Sequence, residues 1–274
     1  MKISVIIPTH NRRHLLDRAI CSVLAQTYSP CEILVVDDGS TDGTERLIVT
    51  DFPQVNLIQQ DNCGVSTARN KGITQSRGDW LAFLDSDDEW LPDKLKRQVE
   101  TLSQNPDGQI IHTDEIWIRN GKRVNPGKKH RKPGGWIFSN CLLLCCVSPS
   151  SVVISRAVFD ELGNFDESLP VCEDYDLWLR MSTRYPFYLV EEPQIIKYGG
   201  HPDQLSRQYW GMDRFRVQSI INRLQSGQLD STQTREAKKV LLDKLSILVH
   251  GFKKRENHAQ ADYYQELQTL WGHP

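Results

Sequence analysis

The 274-residue chain has no long hydrophobic run and no large excess of either charge. The apolar segment Cys141–Val147 is far shorter than the about 20 residues that a membrane-spanning helix needs. The start, Met1–Pro8, carries one charge and a short apolar run, which is typical of a strand and not of a signal peptide. A net charge of -2 argues against a nucleic-acid-binding protein. We therefore expect a soluble, cytoplasmic protein.

Several common metal-binding and nucleotide-binding signatures are absent as well. The seven cysteines are an odd number without the paired spacing of zinc sites, which predicts free thiols in a reducing compartment. No Gly-x-Gly-x-x-Gly turn follows the first predicted strand, and no Gly-Lys-Ser/Thr phosphate loop occurs. Dinucleotide binding of the Rossmann type is therefore unsupported. Any phosphate must be held by side chains and a metal ion.

The first half of the chain alternates predicted strands and helices at regular intervals. The predicted strands are Ile3–Ile7, Glu32–Val36, Val55–Gln59 and Trp80–Leu84. The predicted helices are Leu15–Leu24, Gly43–Val49, Val65–Gln75 and Pro92–Leu102. This alternation predicts an α/β fold with a mostly parallel central sheet covered by helices. Ligands of such folds bind at the carboxyl ends of the strands.

Polar clusters occupy those strand ends. They are Pro8–Arg12, Asp37–Ser40 and Asp85–Asp88. In the last cluster three acids follow a buried strand, where like charges repel and lose hydration unless a cation compensates them. Oxygen ligands of this kind suit Mg²⁺ or Mn²⁺. The alternative is a helix N-cap, because Pro92 follows soon after.

Five motifs in order resemble those of family 2 glycosyltransferases. They are Val5-Ile-Ile-Pro-Thr-His-Asn-Arg12, Val35-Val-Asp-Asp-Gly-Ser-Thr-Asp42, Gly64-Val-Ser-Thr-Ala-Arg-Asn-Lys-Gly72, Leu84-Asp-Ser-Asp-Asp88 and Cys172-Glu-Asp-Tyr-Asp-Leu-Trp-Leu-Arg180. The resemblance implies a single GT-A-like domain that uses a nucleotide-diphospho-sugar donor. It also implies inverting, metal-dependent transfer of a hexose to a hydroxyl acceptor, in the synthesis of cell-surface polysaccharides or glycoconjugates.

The resemblance also implies roles for individual residues. The expected nucleotide-binding residues are Pro8, Thr9, His10, Asn11, Asp38, Arg69, Asp85 and Ser86. Asp38 would accept hydrogen bonds from the nucleobase or ribose, and the alternative for this residue is an Asx-turn. For Arg69 the alternative is an exposed surface arginine.

The expected metal ligands are Asp87, with Mn²⁺ or Mg²⁺ as the cofactor, and His201, which follows a predicted strand at Gln194–Tyr198. An ordinary surface histidine is the alternative for His201. Asp174 matches the family's catalytic base, which takes a proton from the acceptor hydroxyl. An acid that favours a helix N-terminus is the alternative for Asp174.

The domain prediction places the catalytic domain at residues 1–206, with a nucleotide-binding half at 1–105 and an acceptor half at 106–206. Residues 207–274 are predicted to form a helical appendage, docked on the catalytic domain or mediating homo-oligomer formation. Lys253–Arg255 would permit peripheral contact with a membrane. The basic run Lys128–Lys132 is interpreted as a solvated loop, with attraction of a phosphorylated acceptor, such as a lipid-linked saccharide, as the alternative.

Two other functions remain open from the sequence. A nucleotidyltransferase would use a similar sheet and similar acids, but it favours a glycine-rich basic loop where Pro8–Asn11 stands here. A non-catalytic relative that binds sugar nucleotides is the second alternative. The presence of Asp87 and Asp174 argues against it.

Overall fold

The structure is a computed structural model, and it describes residues 1–125, 127, 130–200 and 209–272. Within these ranges nine strands form one sheet. The strands are β1 (Ile3–Thr9), β2 (Glu32–Asp38), β3 (Asn56–Gln60), β4 (Trp80–Phe83), β5 (Glu89–Trp90), β6 (Ile110–Arg119), β7 (Lys122–Val124), β8 (Val153–Ser155) and β9 (Phe187–Gly199). The helices are α1 (Arg13–Leu24), α2 (Thr44–Asp51), α3 (Val65–Gln75), α4 (Lys94–Gln104), α5 (Phe138–Leu143), α6 (Arg156–Leu162), α7 (Glu173–Ser182), α8 (Asp213–Gln225), α9 (Ser231–Lys253) and α10 (His258–Gly272).

The strand order is β3-β2-β1-β4-β8-β6-β9-β5, and β7 pairs with β6. Strands β3, β2, β1 and β4 are mutually parallel. Strand β8 then joins β4 to β6 in antiparallel register, and β6 and β9 run parallel over most of their length. The predicted α/β fold with a mostly parallel central sheet is confirmed. The short antiparallel β8 connects the two halves of the sheet.

Helices cover both faces of the sheet, because alternate residues of each strand point to opposite sides. In β1, Val5 and Ile7 pack in one hydrophobic cluster with Leu16 of α1. The intervening Ile6 packs in another cluster with Ala68 of α3. Strands buried on both faces need near-continuous apolar sequence, and this explains the apolar runs Val5–Ile7 in β1 and Ile33–Val36 in β2.

The three C-terminal helices belong to the second of these clusters. Val217 and Ile220 of α8 and Leu241 and Leu245 of α9 are buried there together with Trp178 of α7. The apolar stripes that the sequence showed are therefore buried within the chain, and the predicted docking of the C-terminal helices on the α/β part is what the structure contains. Self-association through these stripes is not supported. The domain boundary after residue 206 stays a prediction.

None of the helices in the described parts of the chain is long and apolar enough to span a bilayer.

Candidate functional site

The carboxyl ends of β2, β1 and β4 lie side by side and open into a cavity of about 860 Å³, called here the strand-edge cavity. Most of the predicted nucleotide-binding residues line it: Pro8, Thr9, His10, Asn11, Asp38 and Ser86. Parallel neighbouring strands bring residues that are far apart in sequence to one edge of the sheet. The two other predicted residues, Arg69 and Asp85, line an adjoining cavity.

The loop after β1 is held in place by the turn after β2. His10 Nδ1 lies 2.8 Å from the carbonyl oxygen of Asp38. Because a carbonyl only accepts, Nδ1 carries the hydrogen and Nε2 accepts from the amide of Asn62 at 3.2 Å. Asn11 adopts a φ of 51°, and its Oδ1 accepts from the backbone N–H of Thr41 at 2.8 Å. This loop is therefore preformed as one wall of the cavity.

Asp38 is a buried carboxylate at the floor of the cavity. Its Oδ1 accepts from the N–H of Cys63 and from Gln60 Nε2, and its Oδ2 accepts from the N–H of Gly64, each at 2.8 Å. A carboxylate accepts about four hydrogen bonds, so one acceptor position is left for a ligand. The Asx-turn interpretation is wrong for Asp38, since it is Asp37 whose Oδ1 accepts from the Ser40 N–H at 3.0 Å.

We expect Asp38→Ala to weaken donor binding by about 1.5–3 kcal/mol, which is the loss of a hydrogen bond to a charged group. The variant also removes the anchor of the segment that leads into α3, so a modest loss of thermal stability accompanies it. Calorimetric titration with a nucleoside diphosphate measures the effect. Asp61→Ala, an exposed acid in the neighbouring loop, is the matched control. Equal affinities of the two variants would make Asp38 purely structural.

A second cavity, of about 240 Å³, contains the acids that follow β4 and is called here the acid cavity. Arg69 is only 3% exposed there, so the surface-arginine interpretation is wrong. Its guanidinium donates to Glu173 Oε1 at 2.6 Å and to Asp85 Oδ1 at 2.8 Å. Although burial opposes ionisation, Arg69 and Lys197 hold the pKa of Asp85 below its ordinary value. Arg69 thus joins the segment after β4 to the start of α7.

The other acids of the cluster are also compensated by cations. Asp87 Oδ2 lies 2.9 Å from Arg12 Nη1, and burial raises the pKa of Asp87 in spite of that partner. Burial raises the pKa of Asp88 to about 8, and its Oδ2 accepts from Ser150 Oγ at 2.6 Å. Burial disfavours the ammonium of Lys197, but the surrounding carboxylates outweigh it and raise the lysine's pKa above the ordinary value.

The helix-cap interpretation of the acid cluster is wrong, because α4 begins only at Lys94 with Asp93 as its cap residue.

Within the described residues no group of three or more Asp, Glu, His or Cys side chains is arranged to hold a metal ion. Mg²⁺ is usually bound by one or two carboxylates together with substrate phosphates. The carboxylates of Asp85 and Asp87 supply that set of hard oxygen donors. His201, the other predicted ligand, lies outside the described residues.

We expect Arg69→Met to lower the free energy of unfolding by about 3–5 kcal/mol, because it leaves the acids of Asp85 and Glu173 without their buried cation. Arg97→Met is the matched control, since the Arg97 side chain is 46% exposed and pairs with the exposed acids Glu100 and Glu192. Denaturant unfolding of both variants tests this. A similar loss in both would show that burial of the Arg69 network contributes little.

Asp174 lies in the first turn of α7 and is partly exposed. Its Oδ1 accepts from the N–H of Tyr175 at 2.7 Å, and its Oδ2 accepts from Cys145 Sγ at 3.1 Å. Neither of these two partners is a cation, and the carboxylate is partly exposed to the cavity. Its neighbour Glu173 is instead tied to Arg69, and Asp176 is tied to Arg180 Nε at 2.8 Å.

A third cavity, of about 570 Å³, lies on the other side of Asp174 and is called here the helix-side cavity. Asp174 and Lys197 line both the acid cavity and the helix-side cavity. Arg12 and Ser86 line both the strand-edge cavity and the acid cavity. The three cavities therefore adjoin one another in a row. Asp174 lies where the acid cavity meets the helix-side cavity.

Sequence reasoning missed several of these residues. Lys197 lies within a predicted strand, and only its presence in an otherwise apolar run distinguishes it. Lys132 is 8% exposed and its Nζ lies 2.8 Å from Glu115 Oε1, so the solvated-loop interpretation is wrong for this residue. Pairing of this kind depends on contacts distant in sequence, which charge counting does not detect.

Comparison with known proteins agrees with the family resemblance of the sequence motifs. The family profile described as "Glycosyl transferase family 2" matches residues 4–163. An uncharacterized glycosyltransferase of Rickettsia conorii is 32% identical over 216 residues, which is 75% of this chain and 35% of that protein. This chain therefore spans about a third of the length of that relative. The Escherichia coli protein WfgD, named as UDP-Glc:alpha-D-GlcNAc-diphosphoundecaprenol beta-1,3-glucosyltransferase, is 34% identical over 65% of this chain and 68% of its own.

Solved structures share the fold. The crystal structure of residues 1–349 of S. aureus TarS in complex with UDP-GlcNAc superposes with a TM-score of 0.74 at 19% identity, over 96% of this chain and 79% of that one. At this level of identity the similarity concerns the fold alone.

Proposed function

The chain belongs to glycosyl transferase family 2, and from this premise we propose that it is an inverting glycosyltransferase acting on a nucleotide-diphospho-sugar. The observation that carries the proposal is the series of three adjoining cavities with Asp174 between the last two. A donor nucleoside would occupy the strand-edge cavity, its sugar the acid cavity, and the acceptor the helix-side cavity. The acceptor is a saccharide or a lipid-linked saccharide, such as the one that the name of WfgD gives, and the product belongs to a cell-surface polysaccharide or glycoconjugate.

The residues divide the chemistry between them. Asp174 takes the proton of the acceptor hydroxyl as its oxygen forms a bond to the anomeric carbon of the donor sugar. The bond from that carbon to the diphosphate breaks on the opposite face, and the electron pair leaves with the nucleoside diphosphate. Because the hydroxyl oxygen attacks from the face opposite the leaving diphosphate, the anomeric configuration is inverted. Arg12 and Lys197 line the path of the diphosphate and supply fixed positive charge close to it.

A divalent cation, Mn²⁺ or Mg²⁺, fits this arrangement. Asp87 would hold it, with Asp85 nearby, and the ion would supply charge neutralisation for the leaving diphosphate. In the structure Arg12 pairs with Asp87. When the donor and the ion bind, the Arg12 guanidinium would leave that carboxylate and pair with a donor phosphate. We propose further that residues 207–274 act as part of the catalytic unit, because α8 and α9 contribute to the helix-side cavity.

A screen of nucleotide sugars by thermal unfolding, with and without Mn²⁺, tests the donor. We expect stabilisation by one class of nucleoside diphosphate and slow hydrolysis of the matching sugar nucleotide. Stabilisation by a nucleoside triphosphate and release of pyrophosphate from it with a sugar 1-phosphate would instead identify a nucleotidyltransferase. Binding without hydrolysis or transfer would identify a non-catalytic relative.

A further inference from the structure

The helix-side cavity carries positive charge that the transfer chemistry does not use. Besides Lys197, which the proposed mechanism uses, its cations come from three separate parts of the chain: Lys132 from the loop before α5, Arg216 from α8 and Lys244 from α9. The side chains of Lys132 and Lys244 are 6% and 9% exposed. Lysines this buried are usually paired with acids, so the number of acids available to each of these cations matters.

The wall of the cavity that α8 and α9 form has more cations than acids. Lys132 has Glu115 as its partner, whereas Arg216 and Lys244 share a single oxygen of Asp213, at 3.1 and 2.9 Å. Two cations on one carboxylate leave this wall with one surplus positive charge. The Nε atom of Arg216 is buried and also has no hydrogen-bond partner among the described residues. An anionic ligand would balance that charge and accept from the available donors.

Apolar side chains flank the same cations. Leu143 is 61% exposed and lines the cavity, and its carbonyl oxygen lies 3.5 Å from Lys244 Nζ. Ile247 is 61% exposed as well and lies on α9, one turn beyond Lys244. Such a surface would suit an amphiphilic ligand, because its anionic head would pair with the cations and its apolar part would cover the aliphatic side chains.

We propose that the acceptor carries a phosphate next to the accepting sugar, and that Arg216 and Lys244, with Lys132, bind this phosphate. A lipid chain attached to it then runs past Leu143 and Ile247. The inference rests on the proposed function, because it assigns the helix-side cavity to the acceptor. It makes the C-terminal helices the part of the protein that selects an anionic acceptor, while Asp174 at the inner end of the cavity receives the hydroxyl.

Calorimetry with geranyl diphosphate tests the proposal, using protein saturated with the nucleoside diphosphate found in the donor screen so that the donor site is blocked. We expect binding by the wild type, about tenfold weaker binding by Lys244→Met, and retained binding by Lys244→Arg. Lys239→Met, which removes an exposed charge from the same helix, should bind like the wild type. Arg216→Gln serves as the second test should Lys244→Met fail to fold, and it should weaken binding similarly.

Inorganic diphosphate is the second probe. Weaker binding of inorganic diphosphate than of geranyl diphosphate supports the lipid chain, and equal affinity for both overturns that part of the proposal. Absence of geranyl diphosphate binding, or equal affinities of wild type, Lys244→Met and Arg216→Gln, overturns the whole. Donor hydrolysis without acceptor should be unchanged in Lys239→Met. A failure of the proposed function looks different, since the wild type would then neither bind a nucleoside diphosphate nor hydrolyse its sugar derivative.

Discussion

Asp174→Asn is expected to lower the turnover number by about 10²–10⁴ while nucleotide affinity stays close to that of the wild type. The substitution keeps the size of the side chain but removes its ability to accept a proton. The structure favours a clean result, because Asn can retain the oxygen that accepts from the N–H of Tyr175. Only the contact with Cys145 Sγ changes, because an amide nitrogen replaces the oxygen that accepts from this thiol.

Asp176→Asn is the matched control for this experiment. It makes the same change on the same helix, at a carboxylate that pairs with Arg180 and lines none of the three cavities. We expect it to lose some stability and to keep its turnover. Transfer and donor hydrolysis should be measured beside nucleoside diphosphate affinity in each preparation. Turnover of Asp174→Asn within a few-fold of the wild type would remove Asp174 from the mechanism, and the acid would then act only through the dipole of α7.

Asp87→Ala is expected to abolish transfer and most of the metal-dependent nucleotide binding. Asp87 is the acid of the cluster whose cationic partner, Arg12, lies at the junction with the strand-edge cavity. Asp85 and Asp88 are instead held by Arg69 and Ser150. Calorimetry with uridine or guanosine diphosphate, in Mn²⁺ and in chelator, separates the metal-dependent part of the affinity from the rest.

The control for Asp87→Ala is Asp107→Ala, an exposed acid elsewhere on the surface that makes the same change of charge. Its affinities in Mn²⁺ and in chelator should match those of the wild type. If Asp87→Ala keeps the same gain in affinity from Mn²⁺ as the wild type, the metal assignment fails. Transfer by the wild type in chelator at an undiminished rate would show that Arg12 and Lys197 neutralise the diphosphate without a metal ion.

The sequence alone determined the fold class and the edge of the sheet where the site forms. Buried strands have a readable pattern, since Ile3–Ile7 and Trp80–Leu84 must be apolar on both faces to pack between helices. The polar residues that follow them stand out for the same reason. Parallel pairing then brings Pro8–Asn11 and Asp38 together without any further information. The helical stripes of the C-terminal region were equally legible from their period.

Only the tertiary structure decided how the charges are paired and where the cavities adjoin. Arg69 contacts Glu173 across 104 positions of sequence, and Lys244 lies beside Leu143 across 101. Local periodicity contains no information about such pairs, because each partner is chosen by the packing of whole elements. Burial makes these contacts important for stability, since a charge removed from water must find a partner in the folded chain. For this reason the acids after β4 were visible in the sequence, but their pairing with Arg12, Arg69 and Lys197 was not.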